Sequence, residues 1–240
     1  MKSVLFILCL IFSSASAQKP FALVELFTSE GCSSCPPADE LLSEIKSDAE
    51  KKGENIITLA YHVDYWNKYG WMDPFSKFQY TIRQENYSRV LPGGEVYTPQ
   101  AIVNGQSECI GSKKEQLRSF IQDALAMQSK VNLTLAIDSS KNDTMYFSYV
   151  ISATNNDYVL RFAQAEDSLT SHVGKGENSG KTLHHDSVVR HFTSVDMPLK
   201  KGTIELSRKA YSGNGKKYVV AFIQSKKTKH VLAATKIYLK

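Results

Sequence analysis

One junction constrains this chain more than any other stretch. The apolar run Phe21-Ala22-Leu23-Val24-Glu25-Leu26-Phe27 leads into Glu30-Gly31-Cys32-Ser33-Ser34-Cys35-Pro36-Pro37. Beyond it Leu41, Leu42 and Ile45 recur at helical spacing. An apolar run of this length before a glycine turn predicts a buried strand, and the later spacing predicts a helix from about Ala38 to Lys51. The two cysteines therefore sit where a strand hands over to a helix, with Cys32 at or near the helix N-terminus. The free N–H groups and the positive dipole end there stabilise a thiolate and lower its pKa below the free value of about 8.5. Pro36 and Pro37 lack N–H groups, which costs nothing at a helix start.

Three chemistries suit two cysteines at this spacing. Zinc usually takes four ligands, and Cys109 is the one other cysteine outside the N-terminal leader. A static disulfide across so short a loop constrains the unfolded chain little. Reversible thiol–disulfide exchange fits best, with Cys32 as nucleophile on the solvent side of the turn and Cys35 as the resolving thiol. Ser33 and Ser34 bring no charge, only hydrogen-bond donors for a thiolate.

Residues 1–17 read as a signal peptide. Lys2 precedes the apolar run Val4 to Phe12, and Ala15-Ser16-Ala17 forms an Ala-x-Ala cleavage site. This implies a periplasmic or secreted protein, and no later stretch is long and apolar enough to span a membrane. Cys9 leaves with the leader, so one of the four cysteines is lost and an odd thiol, Cys109, remains beside the pair. Export suits a dithiol that cycles, because disulfides persist outside the cytosol. From Leu199 onward the chain has ten Lys, one Arg and Glu205 as its single acid. A solvated basic face accounts for this without a nucleic-acid partner.

After the first helix, Asn55-Ile56-Ile57-Thr58-Leu59-Ala60-Tyr61 predicts a second buried strand that opens into His62-Val63-Asp64-Tyr65-Trp66. Ligands gather at the carboxyl ends of strands in open α/β sheets. Asp73-Pro74 predicts a helix start with proline in the first turn, running to about Val90. Asn104-Gly105 after Ala101-Ile102-Val103 predicts a hairpin onto Ser107 to Ile110. Ser112 and Glu115 read as a capping box for a further helix to about Met127.

This order of elements resembles the thioredoxin fold, and Thr98-Pro99-Gln100 before a strand and an Asn-Gly turn is similar to the glutaredoxin pattern. The resemblance implies a cis Thr98–Pro99 peptide facing the two cysteines. A narrower match rests on Leu26 to Asp39, His62 to Trp66, Gly70-Trp71, Arg83-Gln84, Tyr97 to Gln100, Gly176 to Asn178 and Val188 to Arg190. These runs resemble a bacterial secreted thioredoxin-like family catalogued as a domain of unknown function (number 1223). It implies a periplasmic protein and brings no established substrate.

From Val131 the hydrophobic period becomes two, in Val131 to Ile137, Met145 to Ile151, Tyr158 to Phe162 and Tyr218 to Phe222, which predicts antiparallel strands. The expected architecture is an α/β thioredoxin-like domain with an inserted helix (18–129), then a mainly antiparallel, sandwich-like β domain (130–240). The long polar stretch from Asp167 to His185 is of a kind that is either functional or disordered, and it could reach back over the cysteines.

The candidate site is Cys32, Cys35, Thr98 and Pro99, supported by His62, Asp64, Trp66 and Tyr97. His62 or Asp64 would move the proton of the buried cysteine, or His62 would simply hydrogen-bond into the core. Trp66, Trp71 and Tyr97 offer either a surface for a peptide or plain aromatic packing. Cys109 reads as buried, like most free cysteines. His184, His185 and His191 make a weak metal site, because adjacent strand residues point to opposite faces. The expected partner is a protein dithiol or disulfide, and exchange needs no cofactor. Two alternatives stay open: Cu(I) held by Cys32, Cys35 and His62, since soft thiolates select it, and a non-catalytic binding module locked by its dithiol.

Overall fold

The computed structural model describes residues 18–239; the expected signal peptide at 1–17 lies outside them. The described residues are mixed α/β, with three α-helices, an eight-stranded mixed sheet, and separate three-stranded and two-stranded sheets. An interior strand of the large sheet is β1 (Ala22–Thr28), buried along its whole length. Burial on both faces is why its sequence is nearly continuous in apolar residues. It pairs in parallel with β2 (Ile56–His62) and antiparallel with β3 (Gln100–Val103), which pairs with β4 (Ser107–Ile110). Asn104 and Gly105 both take positive φ, 48° and 65°, in the β3–β4 turn, the backbone that makes Asn-Gly a hairpin signal.

Helix α1 (Pro36–Lys52) joins β1 to β2 and ends at Gly53, whose φ of 67° carries its N–H back to Ala49 O. Leu41, Leu42 and Ile45 bury against Val24 and Leu26, each contributing roughly 1.5–3 kcal/mol. Helix α3 (Lys114–Ala126) adds Leu117 and Ile121 to the same core, while α2 (Phe78–Ser88) covers the opposite face.

Two helix starts depart from the sequence expectation. Lys113, not Ser112, caps α3, with no side-chain cap. Its first turns are held to α1 instead by Lys114 on Glu44 and Arg118 on Glu44 and Asp48. Helix α2 begins at Phe78 rather than at Asp73-Pro74. The Asp73 carboxylate is taken up by His62 and by the N–H groups of Glu30 and Phe75, which holds 73–77 as a turn.

The rest of the large sheet is β7 (Tyr158–Glu166), β10 (Val188–Asp196), β12 (Lys217–Ser225) and β13 (Val231–Tyr238), in the overall order β13-β12-β7-β10-β2-β1-β3-β4. Strands from both sides of residue 129 thus share one sheet. The seam is narrow: β10 meets β2 in parallel at Val188 and Ala60, backed by Ala60 N–H to Ser187 O (2.8 Å) and by the Thr58 and Ser187 hydroxyls at 2.7 Å. Strand β12 is buried on both faces rather than alternating, because Tyr218, Val220 and Phe222 join the α2-side core. Its intervening Val219, Ala221 and Ile223 pack on the three-stranded sheet. That sheet is β5 (Leu133–Lys141), β6 (Thr144–Ile151) and β11 (Lys201–Ser207), where Met145, Phe147, Tyr149 and Ile151 alternate inward as expected. The stretch after β7 is not a bare loop: β8 (Leu169–His172) and β9 (Thr182–His185) form a two-stranded hairpin.

Candidate functional site

Beyond Thr28 the backbone turns twice, through Cys32 N–H to Ser29 O (3.1 Å) and Cys35 N–H to Cys32 O (3.2 Å), and enters α1. Cys35 is the N-cap, and Pro36 and Pro37 fill the positions whose N–H groups have no helical partner. The helix's free end therefore lies at Cys35 rather than Cys32. Cys32 and Cys35 form a disulfide with Cα atoms 5.4 Å apart. Neither cysteine is exposed, each at 0 %. Cys32 is thus not on the solvent side of the turn; Ser33 and Ser34 are. The Ser34 hydroxyl lies 3.3 Å from the Cys32 sulfur.

The cover comes from the loop of the β8–β9 hairpin. Asn178, itself fully buried, donates from its side-chain amide to Glu30 O (2.8 Å) and Cys32 O (2.9 Å). The Ser33 N–H donates to the Glu177 carboxylate at 3.0 Å; the Ser33 side chain, together with this N–H, holds that carboxyl below its usual pKa. Trp71 packs against Gly174 so closely that a Cβ there would lie 3.3 Å from the indole. It also donates to Glu30 Oε2 at 2.7 Å. Trp71 therefore belongs to this strap rather than to an open peptide surface.

Thr98–Pro99 is cis. Trp66 links it to the cysteine loop: its Cβ lies against Gly31, and its indole N–H donates to Thr98 Oγ1 at 2.7 Å. Gly111 packs between Leu26, Ala38 of α1 and Pro99, with no room for a Cβ. Asp64 and Tyr97 are engaged elsewhere. Asp64 accepts from the Thr81 hydroxyl of α2, and the Tyr97 hydroxyl donates to Glu108 on β4.

A second group of buried ionisable residues is less legible in the sequence. His62 ends β2 with its ring fully buried and Nδ1 on Asp73 Oδ2 at 2.7 Å; its Nε2 has no partner among the described residues. The His185 ring lies 4.9 Å away, edge to face. Its Nε2 is 3.2 Å from Glu30 Oε1 and its Nδ1 3.9 Å from Asp39 Oδ2. Asp39 follows Cys35 by one helical turn and accepts from Thr28 Oγ1 at 3.0 Å. Alternation along β9 buries His185 and exposes His184. Glu30 and Asp39 flank the cysteines in sequence, and Gly176-Glu177-Asn178 was among the family-like runs; nothing local marks His185 or Asp73 as their partners.

Burial pushes the Asp39 carboxyl up, against the pull of His185 and His62. For His62, burial alone would lower the pKa, but Asp73 beside it, with Asp39 and Glu30, raises it above the ordinary value. Asp73 is correspondingly held low by His62 and two backbone N–H groups, despite burial. The His62 imidazolium thus stabilises the fold fully below about pH 6.5, its unfolded value, and that contribution is lost as pH rises through its raised folded value. The oxidised wild type should exceed the His62→Gln variant by about 1.5–3 kcal/mol at pH 6. Denaturant titrations should show the gap narrowing towards pH 9; a gap that widens with pH would reverse the assignment.

Cys109 on β4 is buried in the α1–α3 core, and burial pushes its thiol up to about 11, which makes it a poor nucleophile. Among the described residues, no three His, Cys, Asp or Glu side chains converge to hold a metal ion.

No curated protein matches this chain. Among solved structures it is similar to a crystal structure of an Agrobacterium tumefaciens protein from a structural genomics consortium. The two share 28 % identity, with 92 % of this chain and 96 % of that one covered, at a TM-score of 0.65. A partial overlap with a Kluyveromyces marxianus beta-glucosidase has 13 % identity, 47 % and 14 % coverage and a TM-score of 0.23, too low to bear on fold or function. The family described as Protein of unknown function (DUF1223) matches residues 23–224, and the chain belongs to that family.

Proposed function

We propose that the protein is a thiol–disulfide oxidoreductase acting through Cys32 and Cys35 on protein dithiols or disulfides in the periplasm or outside the cell. In this reading residues 18–129 are a thioredoxin-like domain with α2 inserted, and residues 130–240 an appended, mainly antiparallel β unit. The order β2-β1-β3-β4, with β1 and β2 parallel and β3 and β4 antiparallel, supports it, as does the placing of α1 and α3 on one face and α2 on the other. The observation that carries the function is the Cys32–Cys35 disulfide at the N-terminus of α1, beside Thr98–Pro99.

In the oxidising direction a substrate thiolate attacks the Cys32 sulfur, the Cys32–Cys35 bond breaks, and Cys35 leaves as the thiolate. The second substrate thiolate then attacks the substrate sulfur of the mixed disulfide and releases Cys32. Two electrons pass from substrate to protein, and the two protons lost by the substrate thiols end on Cys32 and Cys35. The reverse sequence reduces a substrate disulfide. His62, His185 and Asp39 are the buried groups suited to hold a proton for the cysteines. In either direction the strap over Cys32 must lift to admit the substrate.

Equilibration of the full chain with glutathione buffers, read by alkylation and mass, tests this. A midpoint between about −120 and −270 mV, the span of known exchange catalysts, is expected. A midpoint below about −300 mV marks a structural bond and ends the proposal.

A further inference from the structure

On the α2 side of the sheet, α2 leaves a cavity of about 140 Å³ between itself and the β7–β10–β12 face. Gln79, Arg83 and Asn86 line it from one face of the helix, Arg161 from β7, Phe192 from β10, and Lys229 from the turn after β12. Three of these six side chains are cations. Arg83 is neutralised from behind by Glu25 of β1, at 2.6 Å. Among the described residues neither Arg161 nor Lys229 has a carboxylate within ion-pair distance, and the Arg161 Nε–H is buried with no acceptor. The Lys229 ammonium reaches one carbonyl, Lys226 O, which leaves donors to spare.

A buried guanidinium N–H without an acceptor costs free energy, and so does gathering cations in a low-dielectric cleft. Both effects register here. Burial and the neighbouring Arg83 hold Arg161 below the ordinary arginine range, and burial with Arg161 and Arg83 lowers Lys229. Among the described residues the carboxylates that offset this are Asp196 for Arg161 and Asp157 for Lys229, neither of them within ion-pair distance. An oxyanion in the cavity would supply the missing acceptor and charge at once, since a guanidinium fork matches the geometry of carboxylate and phosphate. The amides of Gln79 and Asn86 add neutral donors at the rim. The Phe192 ring, 5.8 Å from the Arg161 guanidinium and 4.7 Å from that of Arg83, gives an apolar wall.

We infer that this cleft is a binding site for a small oxyanion, a carboxylate or phosphate group, held by Arg161, Lys229 and Arg83. It is independent of the cysteine chemistry, so the two readings stand or fall separately.

Calorimetry and thermal melts of the full chain test it at pH 7.5 with inorganic phosphate and with benzoate, against sodium chloride at equal ionic strength. Saturable binding with a raised melting temperature is expected. Phosphate alone would mark a phosphate site, and benzoate alone or in preference an organic carboxylate seated against Phe192. Arg161→Gln is expected to weaken binding about tenfold or more, and to melt no lower than wild type without ligand. Lys229→Gln, in a surface turn, should also weaken binding and decides the matter should Arg161→Gln not fold. No saturable response beyond chloride, or an affinity unchanged in the folded variants, would overturn the assignment.

Discussion

Glu25→Gln is expected to lower folding stability by about 3–5 kcal/mol, the largest loss from a single side chain outside the cysteines. Glu25 lies in the middle of β1, fully buried. Its Oε1 takes the Arg83 Nε at 2.7 Å, and its Oε2 takes the Tyr87 hydroxyl. The Arg83 guanidinium is enclosed by the rings of Tyr61, Tyr87, Phe192 and Phe222, with centroids 4.7–5.4 Å away. Rings attract a cation but do not neutralise it. Glutamine preserves shape and one acceptor while leaving a positive charge with no counter-charge in the core, and that is the expensive outcome for a buried pair. The double variant Glu25→Leu, Arg83→Met removes both charges and should recover a large part of the loss. Guanidinium denaturation with the disulfide intact reads all three proteins. A loss below about 1 kcal/mol in Glu25→Gln would mean that water or a shift of α2 already solvates Arg83.

Asn178→Ala is expected to speed the reaction of the Cys32–Cys35 disulfide with dithiothreitol by about ten- to several-hundredfold. The Asn178 amide is the strap's buried contact with the cysteine loop, through Glu30 O and Cys32 O. With alanine Glu30 O is left unsatisfied, and Cys32 O keeps only the Cys35 N–H of its two donors, while the strap is closed; water reaches both carbonyls once it lifts. Each such group costs roughly 1–3 kcal/mol, and each 1.4 kcal/mol shifts opening tenfold. Reduction and reoxidation should accelerate together, with the glutathione midpoint little changed. That pairing separates access from bond stability. A rate within twofold of wild type would show that the strap does not limit entry, and a midpoint moving as far as the rate would place the effect on the disulfide itself.

Local pattern alone determined several features. The apolar runs of β1 and β2 announced buried strands, Pro36-Pro37 and the Leu41, Leu42, Ile45 spacing announced α1, and Asn104-Gly105 announced the β3–β4 turn. These follow from backbone conformation and one-sided or two-sided burial, which neighbouring residues encode. The cysteine pair was legible for the same reason, a fixed spacing at an element boundary, whereas the cis Thr98–Pro99 peptide was implied by the resemblance to the thioredoxin fold. Tertiary structure decided the rest. A carboxylate inside the run from Phe21 to Phe27 gives no sign that its partner is Arg83, 58 positions on. Asp73 and Ser112 carried helix-start signals, yet Asp73 was captured by His62, and α3 was held to α1 by ion pairs. The cover over Cys32 comes from Asn178, 146 positions away, and His185 meets Glu30 across 155. The closing of one sheet across residue 129 rests on Ser187 and Val188 against β2. Such contacts join chemically ordinary polar residues whose meaning arises only when burial removes water and each must find a partner. Periodicity reports which side of an element is buried; what lies on the other side of the interface is settled by the fold.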